Sequence, residues 1–318
     1  MKKHSLFLLP TLFVLGAGAL LSCASTQPSD KMEIVCTIWP EYEWAKSIVG
    51  DSDKFNISLL MTNGSDLHSF QPTFGDISKI TKSDLFIYVG GESDSWVPGV
   101  LQNKINDKLI PLSLTEVLGD KALEEEHKEG MEEGHEEEEE EAYDEHVWLS
   151  LRNAEIFVSA IEEKVSSLDP ERKDTYSANA QTYLDKLNQL DAEYTNATTL
   201  SATHKTLVFA DRFPFLYLTT DYSLDYYAAF SGCSSDSDAS METIIFLANK
   251  IDELQLSHIF IIDGSNGEIA ETVKQSTKTK DQKIVTLDSM QTTTLGEGKT
   301  YLGVMEDNLK VLKEALKA

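Results

Sequence analysis

Two histidines lie where short loops should leave strands. One is His68, in Asp66-Leu67-His68-Ser69-Phe70-Gln71-Pro72, and the other is His146, in Asp144-Glu145-His146-Val147-Trp148. Neutral imidazole is a common zinc ligand, and a neighbouring carboxylate can fix its tautomer or complete the coordination sphere. A lone histidine is more often surface or core filler. Two on strand-end loops, one beside a dense run of carboxylates, point instead to a bound metal ion. That run, residues 120–146, holds fifteen carboxylates against Lys121 and Lys128, together with His127 and His135. It has two readings: a solvated segment that only repels like charge, or a weak cation collector that raises the local ion concentration beside His146. His204, ending a long helix, and His258, opening a buried strand, read as structural.

Elements of regular alternation must position these loops. With 318 residues, 41% of them apolar, the chain is globular and too long for one ordinary core, so two domains are expected. From residue 33 short apolar runs alternate with amphipathic stretches: strands at 34–38, 55–61, 85–89 and near 108–112, with helices at 42–49, 76–82 and near 95–104. Strand, helix, strand is the grammar of a parallel sheet with crossover helices. The acidic tract interrupts it, and a Glu-rich stretch with Gly130 and Gly134 has too little apolar surface to fold, so 120–145 reads as a disordered loop. A helix over 153–166 follows. Beyond Asp169-Pro170, residues Tyr176, Ala180, Tyr183, Leu187, Leu190 and Tyr194 recur at helical spacing with no glycine or proline between them, one buried stripe of a single long helix. A second round then begins, with strands at 206–209, 225–230, 258–262 and 283–287 and helices near 213–219 and at 241–254, 268–277 and 301–317.

The expected architecture is two α/β lobes with parallel sheets joined by a single long rigid helix, the ligand site lying in the interlobe cleft at strand carboxyl ends. A helical link permits small rocking rather than wide hinge closure. The expected divisions are a signal peptide at 1–22, a lipidated N-terminus and flexible leash at 23–32, a first lobe at 33–168, a connecting helix at 169–203 and a second lobe at 204–318.

Charge and cysteines narrow the function. A formal net charge of −27 repels phosphate backbones, which argues against nucleic-acid partners. Cys23, Cys36 and Cys233 are too few for a disulfide framework and too scattered for a thiolate zinc knuckle. Cys36 and Cys233 either bond across the cleft, as an oxidising compartment would favour, or lie buried as small apolar residues. Cys23 has its own explanation. Lys2 and Lys3, the apolar run 6–21 broken by Pro10, and Leu20-Leu21-Ser22-Cys23 form an export signal whose end resembles a bacterial lipobox, making Cys23 the acylated first residue of the mature chain. No later apolar run reaches spanning length.

These residues together resemble the cluster A-I solute-binding lipoproteins that serve zinc and manganese ABC importers. The resemblance covers essentially the whole mature chain and rests on three segments: His68-Ser69-Phe70-Gln71-Pro72-Thr73; Glu145-His146-Val147-Trp148-Leu149 with Asn153-Ala154; and the last-helix pattern Tyr301-Leu302, Met305, Asn308-Leu309. The acidic, histidine-containing loop is similar to that of the zinc members. The resemblance implies that His68, His146 and Asp288 ligate the metal. It also exposes a departure: where zinc members place a third histidine and manganese members a glutamate, this chain has Ala210, within Val208-Phe209-Ala210-Asp211-Arg212-Phe213. Asp211 is the nearest carboxylate; it either ligates or serves as a helix cap or partner of Arg212. Two imidazoles and two carboxylates would admit manganese as well as zinc.

The resemblance implies a monomeric, lipid-anchored, extracytoplasmic receptor that captures a divalent metal, foremost Zn2+, with Mn2+ as the alternative, and passes it to an ABC permease and its ATPase. Nothing in this reading is catalytic. A metal-stabilised surface adhesin is one rival. A metal-dependent hydrolase is another, weakened by the lack of G-x-S-x-G, H-E-x-x-H or a phosphate-binding glycine loop.

Overall fold

The computed structural model describes residues 31–62, 64, 66–132, 143–200, 202–234, 238–296 and 298–317. The expected signal peptide, the lipidation site Cys23 and His135 lie outside that set. Among the described residues no helix is long and apolar enough to cross a membrane.

The first lobe carries β1 (Met32–Cys36), α1 (Trp39–Val49), β2 (Phe55–Leu59), α2 (Phe74–Lys82), β3 (Leu85–Tyr88), α3 (Val97–Gln102), β4 (Ile110–Ser113), α4 (Leu114–Leu118) and α5 (Leu151–Leu168). The long α6 (Lys173–Thr195) leads on to β5 (Thr206–Phe213), α7 (Leu216–Asp221), β6 (Asp225–Ser231), α8 (Met241–Leu254), β7 (His258–Ile262), α9 (Glu268–Ser276), β8 (Lys283–Leu287) and α10 (Tyr301–Ala315). Each lobe is built on a four-stranded sheet, ordered β2-β1-β3-β4 and β6-β5-β7-β8, with parallel pairing throughout. In each sheet the strand order reverses at the strand that opens the lobe. Loops leaving the carboxyl ends there frame a crevice suited to a ligand.

The stripe expected on α6 is the one that is buried: Tyr176, Ala180, Tyr183, Leu187, Leu190 and Tyr194. One apolar cluster runs through both lobes along this helix, including Trp44, Phe157, Leu187, Tyr194, Phe209, Phe215 and Tyr301. Two of its polar ends are satisfied across the molecule. Tyr194 donates its hydroxyl to the Met305 carbonyl at 2.6 Å, and Tyr301 donates to the Trp148 carbonyl at 2.7 Å. Separating the lobes would return these rings to water at about 1.5–3 kcal/mol per large side chain, so closure is confined to small movements around the crevice.

Three expectations are corrected. A short helix, α4, starts at Ser113, whose hydroxyl accepts the Glu116 N–H at 3.3 Å; five residues carry too little periodicity to announce it. β5 runs on to Phe213 through an irregularity between Phe209 and Arg212, so α7 begins only at Leu216. The acidic tract is also more ordered than its composition suggests. Over 120–132 it packs on the second lobe: Met131 is buried, the Glu132 N–H donates to the Ala229 carbonyl at 2.9 Å, and Glu126 accepts the Tyr226 hydroxyl at 3.0 Å. Lys128 lies 2.7 Å from Asp225 and 4.1 Å above the Tyr226 ring. Tertiary partners, not composition, order this stretch. His127 is tied locally, 3.0 Å from the Glu132 carbonyl.

Candidate metal centre

Both histidine loops are short turns held by their own aspartates. Asp66 accepts the His68 N–H at 3.0 Å and opens a single helical turn, Leu67–Ser69; Thr73 then caps α2, exchanging hydrogen bonds with Asp76. Asp144 accepts the His146 N–H at 2.8 Å before the turn Val147–Leu149, and Ser150 caps α5. An aspartate accepting the N–H two residues on is a local device that needs no tertiary partner. The two loops leave different elements, yet their imidazoles meet: Nε2 of His68 lies 3.1 Å from Nε2 of His146.

The remaining ring nitrogens fix what those two atoms can do. His146, fully buried, has Nδ1 3.1 Å from the Asp144 carboxylate, which accepts the Nδ1–H and leaves Nε2 as the acceptor nitrogen. His68 has Nδ1 2.9 Å from Ser93 Oγ and 3.5 Å from Glu145 Oε2. Glu145 is only 2% exposed; its Oε1 accepts the Ser93 N–H at 2.8 Å, while Oε2 has no hydrogen-bond partner. Gly91 makes room for it, since a Cβ there would stand 2.4 Å from Glu145 Oε1, at a backbone φ of +91°. With His146 Nδ1 on the Asp144 carboxylate and His68 Nδ1 on Ser93 Oγ, the two Nε2 atoms face one point. Such a pair has the chemistry to hold a shared cation. Burial, with the facing His146 ring, pushes the His68 imidazole down to about 4, so it is neutral and able to donate near neutral pH.

The second lobe closes the other side. Among the described residues, the side chains whose ligand atoms converge closely enough to share an ion are His68, His146 and Cys233, all within 4.8 Å of one another. Gln291 directs its amide N–H at His146 Nε2 at 2.7 Å, and Trp148, its ring 5.3 Å from that of His146, donates Nε1–H to the Ser289 carbonyl at 2.9 Å. Asp66 also reaches across the crevice, 2.7 Å from the Arg212 guanidinium.

Neither expected aspartate joins the imidazole pair in this conformation. Asp288 accepts the Met290 N–H at 2.8 Å and pairs with Lys299 at 3.2 Å; burial, then the nearby Asp263, raises its carboxyl above the ordinary range. Asp211 accepts the Arg212 N–H at 2.9 Å and faces the Ile262 N–H at 3.4 Å. The β5 irregularity is the cause: it buries Ala210 in the apolar cluster with Val208, Ile244 and Ala248 and turns Asp211 into the backbone of its own sheet. Sequence reasoning passed over Cys233 and Gln291 as site residues. The Cys233 signal was the one used for His68, a donor in the loop that follows a strand. Cys36 and Cys233 are both free thiols, Cys36 buried within β1, so the disulfide considered from sequence is not formed.

With this geometry in view, comparison with known proteins is decisive. Residues 34–315 match the family model described as ZnuA, zinc-uptake complex component A, periplasmic. The chain belongs to this family. That membership gives it an extracytoplasmic place. It is 32% identical over 99% of its length to the zinc-binding lipoprotein AdcA of Streptococcus pneumoniae, and spans 61% of that protein. The high-affinity zinc uptake system protein ZnuA of Bacillus subtilis is 30% identical over 96% of this chain and 97% of its own. Among solved structures, the Zn(II)-bound ZnuA-like domain of S. pneumoniae AdcA aligns with a TM-score of 0.72 and 29% identity, over 91% of this chain and all of that domain. The family fold is thus two α/β lobes with parallel sheets, as found here.

Proposed function

We propose that this chain is the extracytoplasmic zinc receptor of an ABC importer, tethered through acylated Cys23 after removal of residues 1–22, with lobes at 33–168 and 204–318 around the helix at 169–203. It captures Zn2+ between His68 and His146 and hands it to the membrane permease driven by its ATPase. The observation that carries this is the pair of imidazole Nε2 atoms 3.1 Å apart, with His146 Nδ1 on the Asp144 carboxylate and His68 Nδ1 on Ser93 Oγ, Glu145 Oε2 standing 3.5 Å off. Zinc bound tetrahedrally at about 2.0–2.1 Å by each nitrogen would hold them about 3.4 Å apart, so the pair needs to open by only a few tenths of an ångström. Asp288 contributes a carboxylate by exchanging Lys299 for the metal when the crevice tightens, and Asp211 keeps its backbone partners. Asp66, Asp144 and Glu145 surround the site with negative charge that draws cations in. The names of the AdcA and ZnuA relatives support zinc over manganese.

The test is thermal unfolding of the metal-stripped chain titrated with zinc and, separately, manganese. An ion that binds only the native state adds about 2.7 kcal/mol at a hundredfold excess over Kd. A large zinc shift and a small manganese shift support the proposal. Equal shifts would show a site that admits manganese as readily as zinc, and no shift with either would remove metal from the reading altogether.

A further inference from the structure

Building on the zinc reading, we propose that Cys233 is a direct metal ligand, giving this receptor a two-imidazole, one-thiolate site that selects zinc and other thiophilic divalent ions over manganese. Three observations place the sulfur. Its Sγ and the imidazole nitrogens of His68 and His146 lie within 4.8 Å of one another, and a tetrahedral ion with Zn–S of about 2.3 Å and Zn–N of about 2.0–2.1 Å holds such donors about 3.4–3.6 Å apart. Gly232 lets the loop after β6 lie against His146: a Cβ there would stand 3.0 Å from Cε1 and 3.1 Å from Nδ1 of that ring, and 2.9 Å from the Phe213 carbonyl. The Cys233 N–H is anchored to Glu125 Oε1 at 3.1 Å, so the packed part of the acidic tract holds the cysteine over the crevice.

The thiol also occupies a chemical gap. Position 210 is an alanine buried away from the crevice, and Asp211 is committed to its own strand, so neither gives the second lobe a third donor. Cys233 comes from the adjacent strand end and reaches the same pair of rings. The exchange has consequences for specificity. Thiolate is a soft ligand that zinc accepts readily and manganese does not, whereas a carboxylate in that place would favour the harder ion. On binding, the S–H bond is exchanged for an S–metal bond and the proton leaves to solvent.

Cobalt(II) as a spectroscopic stand-in for zinc decides the matter. The metal-stripped full chain in detergent is titrated with cobalt alone, and the absorption is read in two regions: visible d–d bands, which report a bound ion of tetrahedral geometry, and the intense near-ultraviolet sulfur-to-cobalt charge-transfer band, which requires a thiolate ligand. Both features are expected in the native chain and in Cys36→Ser. Cys233→Ser is expected to lose the charge-transfer band, keep the d–d bands, and show a reduced ratio of zinc to manganese affinity. Bound cobalt with d–d bands but no charge-transfer band in the native chain would overturn the ligand assignment and leave the zinc reading standing, as would a charge-transfer band that survives Cys233→Ser. Failure of both cobalt and zinc to bind would overturn the zinc reading and this inference with it.

Discussion

The two lobes furnish the crevice in different ways. In the first, each histidine loop is organised by an aspartate two residues upstream, Asp66 for His68 and Asp144 for His146, through bonds that form as soon as the turn forms. In the second, the contacts that aim donors at the crevice are long-range: Cys233 is fixed by Glu125, 108 residues earlier, and Gln291 meets His146 across 145 residues. The first lobe thus presents preset imidazoles, and the second presents donors that exist as a site only once the lobes have packed. A family of metal receptors can then keep its imidazole loops and vary the second-lobe donor, because the latter depends on register and close approach rather than on a self-contained turn.

The contrast can be broken first at the imidazoles. His146→Ala or His68→Ala should lower zinc affinity about a thousandfold or more, near 4 kcal/mol, erasing the zinc-induced thermal shift; affinities unchanged in both would show that the preset loops are not the site. Next comes a test internal to the first lobe. Glu41 is fully buried, its Oε2 accepting from the N–H and hydroxyl of Thr37 and the N–H of Ile38, and burial, then the nearby Asp94, pushes its carboxyl up to about 8. Its folded value lies above the unfolded one, so its contribution is complete below about 4.5 and is lost as the pH rises towards about 8. Urea unfolding should show the metal-free chain losing on the order of 5 kcal/mol across that interval, and Glu41→Gln should flatten the slope; an unaltered slope would place the pH dependence elsewhere.

Smaller effects sharpen the comparison. Asp144→Asn should weaken zinc about 10–100-fold by releasing the His146 tautomer, measured by competition with a chromophoric chelator. Arg212→Ala removes the ion pair between the lobes at Asp66 and should cost about 1 kcal/mol of stability with little change in zinc affinity, since pairs still open to solvent contribute modestly. Removing residues 133–142 should leave zinc affinity at the main site within a few-fold, whereas removing 123–143 also takes away Glu125 and should weaken it by releasing Cys233. Equal affinities for the two deletions would show that Glu125 does not position the second-lobe donor.

Much of this molecule was legible before its structure. Strands at 258–262 and 283–287 and the helix at 241–254 fall where alternation placed them, because apolar period and chain punctuation act locally. The stripe on α6 was readable for the same reason. The limits of β5 were not: its extension to Phe213 depends on pairing with β6 across an irregularity, and that pairing is invisible in a run of eight residues. The order of 120–132 was hidden by composition, since its apolar contact, Met131, and its acidic partners act only against Tyr226, Asp225 and Ala229.

The sequence by itself determined two imidazole loops, each carrying its own aspartate, two rounds of strand and helix, and a long unbroken helix between them. Short-range hydrogen bonds and the helical or extended period suffice for that. Only the tertiary structure decided that Ala210 turns into an apolar cluster, that Asp211 and Asp288 are engaged by Arg212, Ile262, Met290 and Lys299, and that Cys233 stands over the histidine pair. Those outcomes rest on one strand irregularity and one close approach at Gly232, contacts between segments far apart in the chain that no local pattern encodes.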